Sequence, residues 1–242
     1  MHPLVILPGA LLAPPEALLE RLGRRRPVRA IAYPPRTTMT ALIDAIAAQL
    51  DEMGVGQCDV LGFSYGAWVA QCLRNRYPNL VRDLVLVHGF AVRPQHAWLF
   101  RIGLSLWKWM PVSSFRRMAR KRVVYTLKPL RKRDGSDYAR VLAAVDALLA
   151  KPETPAALIR QNDCMLESCI NFASANETRT HSGRRVLIIE SDNDPVVRGN
   201  ERAHLRALHP DAWVHTFSGA GHIAPLVEPH AFADTVERFL ER

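Results

Sequence analysis

At 242 residues the chain is long enough for one domain, or for one domain carrying a sizeable insertion. Its 48% hydrophobic and 23% charged content excludes disorder, collagen-like repeats and a membrane bundle. The 32 Lys and Arg against 23 Asp and Glu leave a formal charge of +9, which points to an acidic partner: nucleic acid, an anionic membrane, a phosphorylated ligand or an acidic protein.

Short apolar runs alternate with longer segments of helical period, the pattern of a parallel sheet built from βαβ units. Residues 4–7 read as a strand that runs into a turn at Pro8 and Gly9, and residues 28–33 as a second strand. The apolar start is not read as a signal peptide, because no Lys or Arg precedes it and Pro8 and Gly9 interrupt it. Residues 39–53 form a helix with Leu42, Ile43, Ile46 and Leu50 on one face and Gly54 as its stop. A third strand at 59–63 leads into a helix at 65–77, and a fourth strand follows at 84–88. Strands at 186–190 and 213–217 flank a helix at 198–208, and a helix at 231–240 closes the chain. Most of these strands are continuously apolar, as expected when both faces of a sheet are covered. The expected class is therefore α/β, with a doubly wound, mainly parallel sheet of about six strands.

Between the fourth and fifth strands the pattern breaks. Residues 91–182 contain helical stretches and no convincing strand, and a connection that long is not a plain loop. The expected organisation is a core of residues 1–90 and 183–242 with a helical insertion at 91–182. The insertion begins with an aromatic and apolar stretch containing Trp98, Phe100, Trp107 and Trp109. It also holds eleven basic residues and no Asp or Glu from 101 to 133: Arg101, Lys108, Arg116, Arg117, Arg120, Lys121, Arg122, Lys128, Arg131, Lys132 and Arg133. Taking that +11 from the total of +9 leaves −2 for the rest of the chain.

Gly62, Phe63, Ser64, Tyr65 and Gly66 form a G-x-S-x-G sequence at the end of the third strand. A sharp strand-to-helix turn strains the serine backbone and requires small neighbours, and it raises the hydroxyl above the sheet. It also places the N–H of Tyr65 at a helix N-terminus, where it can stabilise an oxyanion. A serine hydroxyl needs a base held by a third group. Among nine histidines, His222 is the candidate, in a glycine-rich loop after the last strand. His2, His96, His181, His204, His209 and His230 occupy terminal, polar or helical contexts and are expected to face solvent, and His215 alternates within a strand. Two carboxylates compete as the orienting acid. Asp194 is preferred because Pro195 fixes the chain beyond it, while Asp192 could instead form an Asx-turn. The second oxyanion donor is assigned to the N–H of Ala10, with Leu11 in reserve. His88, Gly89 and Phe90 follow the nucleophile strand and are assigned a structural or pocket-lining role.

With these residues the chain resembles the α/β-hydrolase superfamily. The resemblance covers residues 1–90 and 186–242 and rests on Gly62-Phe63-Ser64-Tyr65-Gly66, Asp194-Pro195 and Gly221-His222. It implies a triad of Ser64, Asp194 and His222 and a cap domain inserted after the fourth strand. Two features depart from the family pattern: Pro8-Gly9 replaces the usual His-Gly of the oxyanion loop, and the first antiparallel strands are missing.

The expected activity is hydrolysis of an ester or thioester with an apolar acyl group. C–C bond hydrolysis, carrier-linked chain release or cyclisation with the same triad, and a non-catalytic binding protein on the same scaffold remain open. No cofactor or metal is expected, since the histidines and cysteines show no ligand spacing. The basic stretch, if it is more than a solvated face, suits an acidic carrier protein, a coenzyme A thioester or an anionic membrane rather than nucleic acid. Cys58, Cys72, Cys164 and Cys169 include no CxxC pair and are too sparse for a disulfide framework, so the expected location is cytoplasmic.

Overall fold

Six short segments pair into one sheet in the computed structural model, which describes residues 2–172 and 184–241. They are β1 (Leu4–Leu7), β2 (Val28–Ala30), β3 (Cys58–Phe63), β4 (Val81–Val87), β5 (Val186–Ser191) and β6 (Trp213–Phe217). Their order is β2-β1-β3-β4-β5-β6, and every pairing is parallel. The chain steps outward from β1 to β2 and then returns to the other side of β1 as β3. The crevice above the carboxyl ends of β1 and β3 is thus a topological switch point, where ligands of such sheets bind. The register lines up Leu7 with Gly62, Phe63 with Val87, and Val87 with Ile189. Loops following four neighbouring strands therefore emerge side by side.

Alternation along the strands builds two cores, as a period of two requires. Val5, Leu7, Val60, Leu84, Leu86 and Ile188 face one side, where α2 (Met39–Glu52) and α3 (Tyr65–Arg76) pack. Leu4, Ile6, Leu61, Val85, Val87 and Ile189 face the other, against α1 (Glu16–Gly23) and the closing helix. Among the described residues five helices lie between β4 and β5: α4 (His96–Trp109), α5 (Val112–Thr126), α6 (Lys128–Arg133), α7 (Gly135–Ala150) and α8 (Thr154–Asn171). After β5 come α9 (Gly199–Leu208), α10 (Ala224–Val227) and α11 (Pro229–Leu240). No helix among the described residues is long and apolar enough to cross a membrane. The expected insertion end near residue 182, and His181, lie outside the described residues.

Three boundaries and one helix differ from expectation for physical reasons. β2 stops at Ala30 rather than residue 33: Ile6 lies opposite Ala30 and the partner strand ends at Leu7, before Pro8, which has no N–H to offer. β4 begins at Val81 rather than residue 84, its start masked by two charges that are neutralised from outside the strand. Arg82 binds Asp59 at 2.7 Å, and Asp83 pairs with Arg185. Asp59 also takes Arg26 at 2.8 Å, and its side chain is fully buried. The closing helix starts at Pro229 instead of residue 231, with proline in its first turn, where no N–H is needed. Helix α1 was not anticipated, because only Leu18 and Leu22 of its short amphipathic pattern are buried.

Candidate active site

Ser64 caps α3 with φ 49° and ψ −106°, a conformation in which most side chains are strained. Its neighbours explain how the chain tolerates this turn. A Cβ on Gly62 would overlap the carbonyl of Gly66, and one on Gly66 would overlap the carbonyl of Leu7. The G-x-S-x-G spacing is therefore required by the close crossing of α3 over β1 and β3. The Ser64 N–H is held by the Val87 carbonyl at 2.8 Å.

His222 reaches the serine from the loop after β6. Its Nε2 lies 2.9 Å from Ser64 Oγ, and its Nδ1 lies 2.7 Å from Asp194 Oδ2. Gly221, at φ 60°, supplies a turn that a side chain would strain, and its N–H donates to Asn193 Oδ1 at 2.8 Å. Asp194 belongs to the loop after β5. Its Oδ1 accepts the N–H groups of Val196 and Val197 at 2.8 and 2.9 Å, leaving Oδ2 for the imidazole. Burial pushes this carboxyl up, but the hydrogen bonds from His222 and His88 outweigh it and hold the group well below the usual carboxylate range. Asp192 takes no part in this chain of contacts. Its oxygens accept from Gly219 N–H at 2.8 Å and Ser218 Oγ at 3.0 Å, bracing the two loops instead.

His88 is the residue whose contact with this site the sequence did not disclose. It is buried, has φ 49°, and brings Nδ1 to 3.1 Å from Asp194 Oδ2. Its Nε2 accepts the Ala224 N–H at 3.2 Å, which leaves the ring proton on Nδ1, facing the carboxylate. Burial lowers its pKa and keeps it neutral, the hydrogen bond to Asp194 opposing only part of that effect. Adjacency of β4 and β5 was the available signal: a residue ending β4 must lie beside the loop that ends β5. One ring nitrogen each of His88 and His222 and an oxygen of Asp194 lie within 4.8 Å of one another, a spacing a metal could also use. Here two ring nitrogens converge on one carboxylate oxygen, His222 by a hydrogen bond at 2.7 Å and His88 by a close polar contact at 3.1 Å.

The expected oxyanion donors border the same space. Ala10, Leu11, Ser64, Tyr65 and His222 all line a cavity of about 360 Å³. A Cβ on Gly9 would come within 3.9 Å of Ser64 Cβ, so the loop after β1 passes directly beside the serine. Tyr65 is the first residue of α3, whose leading N–H groups have no intrahelical acceptor. Phe63, Phe90, Phe100, Trp107, Phe115 and Met165 give the cavity an apolar wall, and Arg122, Gln161 and Asn162 supply polar points.

His96 was expected to face solvent and is instead buried beside Trp68, Phe90 and Phe100, with Glu201 at 3.2 Å. The docking of α4 on α3 decides this, and nothing local in the sequence reveals it. The four cysteines are free and buried, and burial pushes the thiols of Cys58, Cys164 and Cys169 up to about 12. They remain thiols at neutral pH, the weakly nucleophilic form.

A parallel sheet with a strained serine above its third strand, and a histidine and a buried aspartate delivered by later loops, defines a hydrolase scaffold of the α/β class. The chain belongs to the alpha/beta hydrolase family, whose model matches residues 4–235. It is 27% identical over 196 residues to a 2-hydroxymuconate semialdehyde hydrolase of Pseudomonas putida, a match covering 79% of this chain and 65% of that protein. The fold is also similar to that of an enol-lactonase from Burkholderia xenovorans, with a TM-score of 0.75 and 14% identity over 100% of this chain and 90% of that one. A meta-cleavage product hydrolase from Pseudomonas fluorescens aligns with a TM-score of 0.72 and 17% identity, over 100% and 91% of the two chains.

Proposed function

We propose that the protein hydrolyses an ester or thioester with an apolar acyl group through an acyl-enzyme on Ser64. The observation that carries this reading is the unbroken contact chain from Ser64 Oγ through His222 to Asp194, at 2.9 and 2.7 Å, opening into an aromatic-lined cavity. His222 Nε2 takes the Ser64 proton as Oγ attacks the carbonyl, and Asp194 holds the imidazole and stabilises its positive form. The N–H groups of Ala10 and Tyr65 receive the developing oxyanion. The tetrahedral adduct collapses as His222 returns the proton to the departing alcohol or thiol. Water then attacks the acyl-enzyme, giving its proton to His222, and the acid leaves as Ser64 regains its own. The helices α4 to α8 act in this scheme as a cap over the acyl pocket.

A second reading, C–C bond hydrolysis by the same three residues, draws support from the Pseudomonas putida relative. That protein's name denotes a carboxylate-bearing substrate, and Arg122 is the one Lys or Arg among the described residues that line the cavity. A fluorophosphonate probe on wild type and Ser64→Ala separates catalysis from a binding-only role. Labelling of the folded wild type alone is expected, and an unlabelled wild type overturns the proposal. A panel of acyl esters, acyl thioesters and carboxylated C–C substrates then divides the two hydrolytic readings by relative kcat/KM.

A further inference from the structure

The outer face of α4 is built in the opposite sense to a solvated helix surface. Trp98, Leu99, Ile102, Leu106 and Trp109 are 60%, 52%, 51%, 61% and 90% exposed. At about 100° per residue these five fall within an arc of roughly 100°. Phe100, Leu104 and Trp107 turn the other way, inward. Arg101 and Lys108 lie beside one edge of the apolar arc, and the next helix, α5, brings Arg117 and Lys121 without any acid. The two helices are fixed to each other where the Trp107 and Phe115 rings meet edge to face at 5.5 Å. Both rings line the cavity above Ser64. One wall thus shows aromatic groups to the pocket on its inside and apolar and cationic groups to the exterior on its outside.

We propose that the outer face of α4, with the basic residues of α5, docks on an anionic lipid surface. Tryptophan pairs an apolar ring with a polar N–H and suits the depth of lipid headgroups, while leucine and isoleucine insert below it. Lys and Arg flanking an apolar arc, with no carboxylate between residues 101 and 133, match the negative potential of such a surface. Lys108 is paired with Asp163 of α8 at 3.3 Å, but a second copy of this chain is still a poor occupant, because it would bring Arg101, Arg117 and Lys121 of both copies face to face. The substituted positions Trp98, Trp109, Arg117 and Lys121 lie outside the cavity lining, so docking is separable from turnover.

The full chain carrying Ser64→Ala, and the same chain with Trp98→Ser and Trp109→Ser or with Arg117→Glu and Lys121→Glu, would be sedimented with two kinds of vesicle. One is phosphatidylcholine alone and the other an equimolar mixture with phosphatidylglycerol. Binding to the mixed vesicles at least about tenfold stronger than to the neutral ones is expected, with a loss of about tenfold or more in either double variant. Catalytically intact versions of both variants should keep wild-type hydrolysis of a short, soluble, uncharged ester. Equal binding to both vesicles, no binding to either, or unchanged binding by the variants overturns the proposal. So does binding to an acidic acyl-carrier protein in the absence of any vesicle binding, or a dimer in sedimentation equilibrium that the tryptophan variant dissolves. None of the binding readouts depends on the substrate assigned above, so failure of one reading leaves the other standing or falling by its own test.

Discussion

A single carboxylate organises the candidate site. Asp194 uses Oδ1 to fix its own loop through Val196 and Val197 and Oδ2 to receive two histidines. Replacing it with Asn removes the negative charge and offers an N–H where His222 needs an acceptor. Asp194→Asn should lower kcat by about 10³–10⁴-fold on whichever ester the wild type turns over, with far less effect on KM. A steady-state comparison checks this, and a change confined to KM would contradict it. His88 makes a different prediction. Burial keeps its folded-state pKa below the ordinary value of about 6.5, so the unfolded chain binds a proton that the folded chain does not. Its contribution to stability is complete above that value and is lost as pH falls through the depressed pKa. Urea midpoints should therefore drop between pH 7 and 5. His88→Asn, which tolerates the positive φ and keeps an N–H toward Asp194, should flatten that drop. The remaining slope belongs to His96 and His215, both also lowered chiefly by burial.

Two glycines in different elements carry opposite predictions. At Gly66, where α3 crosses β1, an added Cβ meets the backbone carbonyl of Leu7, which cannot move without disturbing β1. Gly66→Ala should destabilise by about 1–3 kcal/mol or more, as overpacking does. Gly103 lies inside α4 with nothing within 4 Å of an added Cβ, so Gly103→Ala should stabilise by about 0.5–1 kcal/mol. Chemical denaturation of both variants checks the signs together. At the start of β3, Asp59→Ala would strand the buried Arg26 guanidinium and should cost about 3–5 kcal/mol. The same elements show what the sequence could reveal. The apolar runs of β1, β3 and β5 and the turn around Ser64 were legible, because both-face burial and the crossing of α3 write themselves into residue type. The first three residues of β4 were not, since Arg82 and Asp83 look like loop residues until partners from β3 and beyond the insertion are brought to them. The His88 contact was hidden likewise, because it depends on two strands being neighbours.

Across the whole molecule, the sequence locates the positive charge but not its compensation. Of the eleven cations between residues 101 and 133, Lys108, Arg120 and Arg133 take carboxylate partners from α8, α7 and the loop before α11. Lys128 lies over the Tyr125 ring at 4.3 Å, and Arg116 donates to the carbonyls of Ala150 and Lys151. The field outside the insertion is therefore weaker than +11 implies, yet Arg101, Arg117, Lys121 and Lys132 add to it, and Arg122 lines the cavity itself. Such a field raises the local concentration of anions and their rate of capture, and it fades as added salt shortens the Debye length from about 30 Å at 0.01 M to about 8 Å at 0.15 M. For a water-soluble ester whose acyl chain ends in a carboxylate, kcat/KM should fall about threefold to tenfold over that range. A neutral ester of the same length should change little. Arg117→Glu with Lys121→Glu should reduce the difference between the two substrates, because the pair adds to the field without lining the cavity. Equal salt dependence for both esters would mean that the cations act only through contacts with a docked surface. A dependence surviving in the double variant would place the steering charge on Arg122 itself.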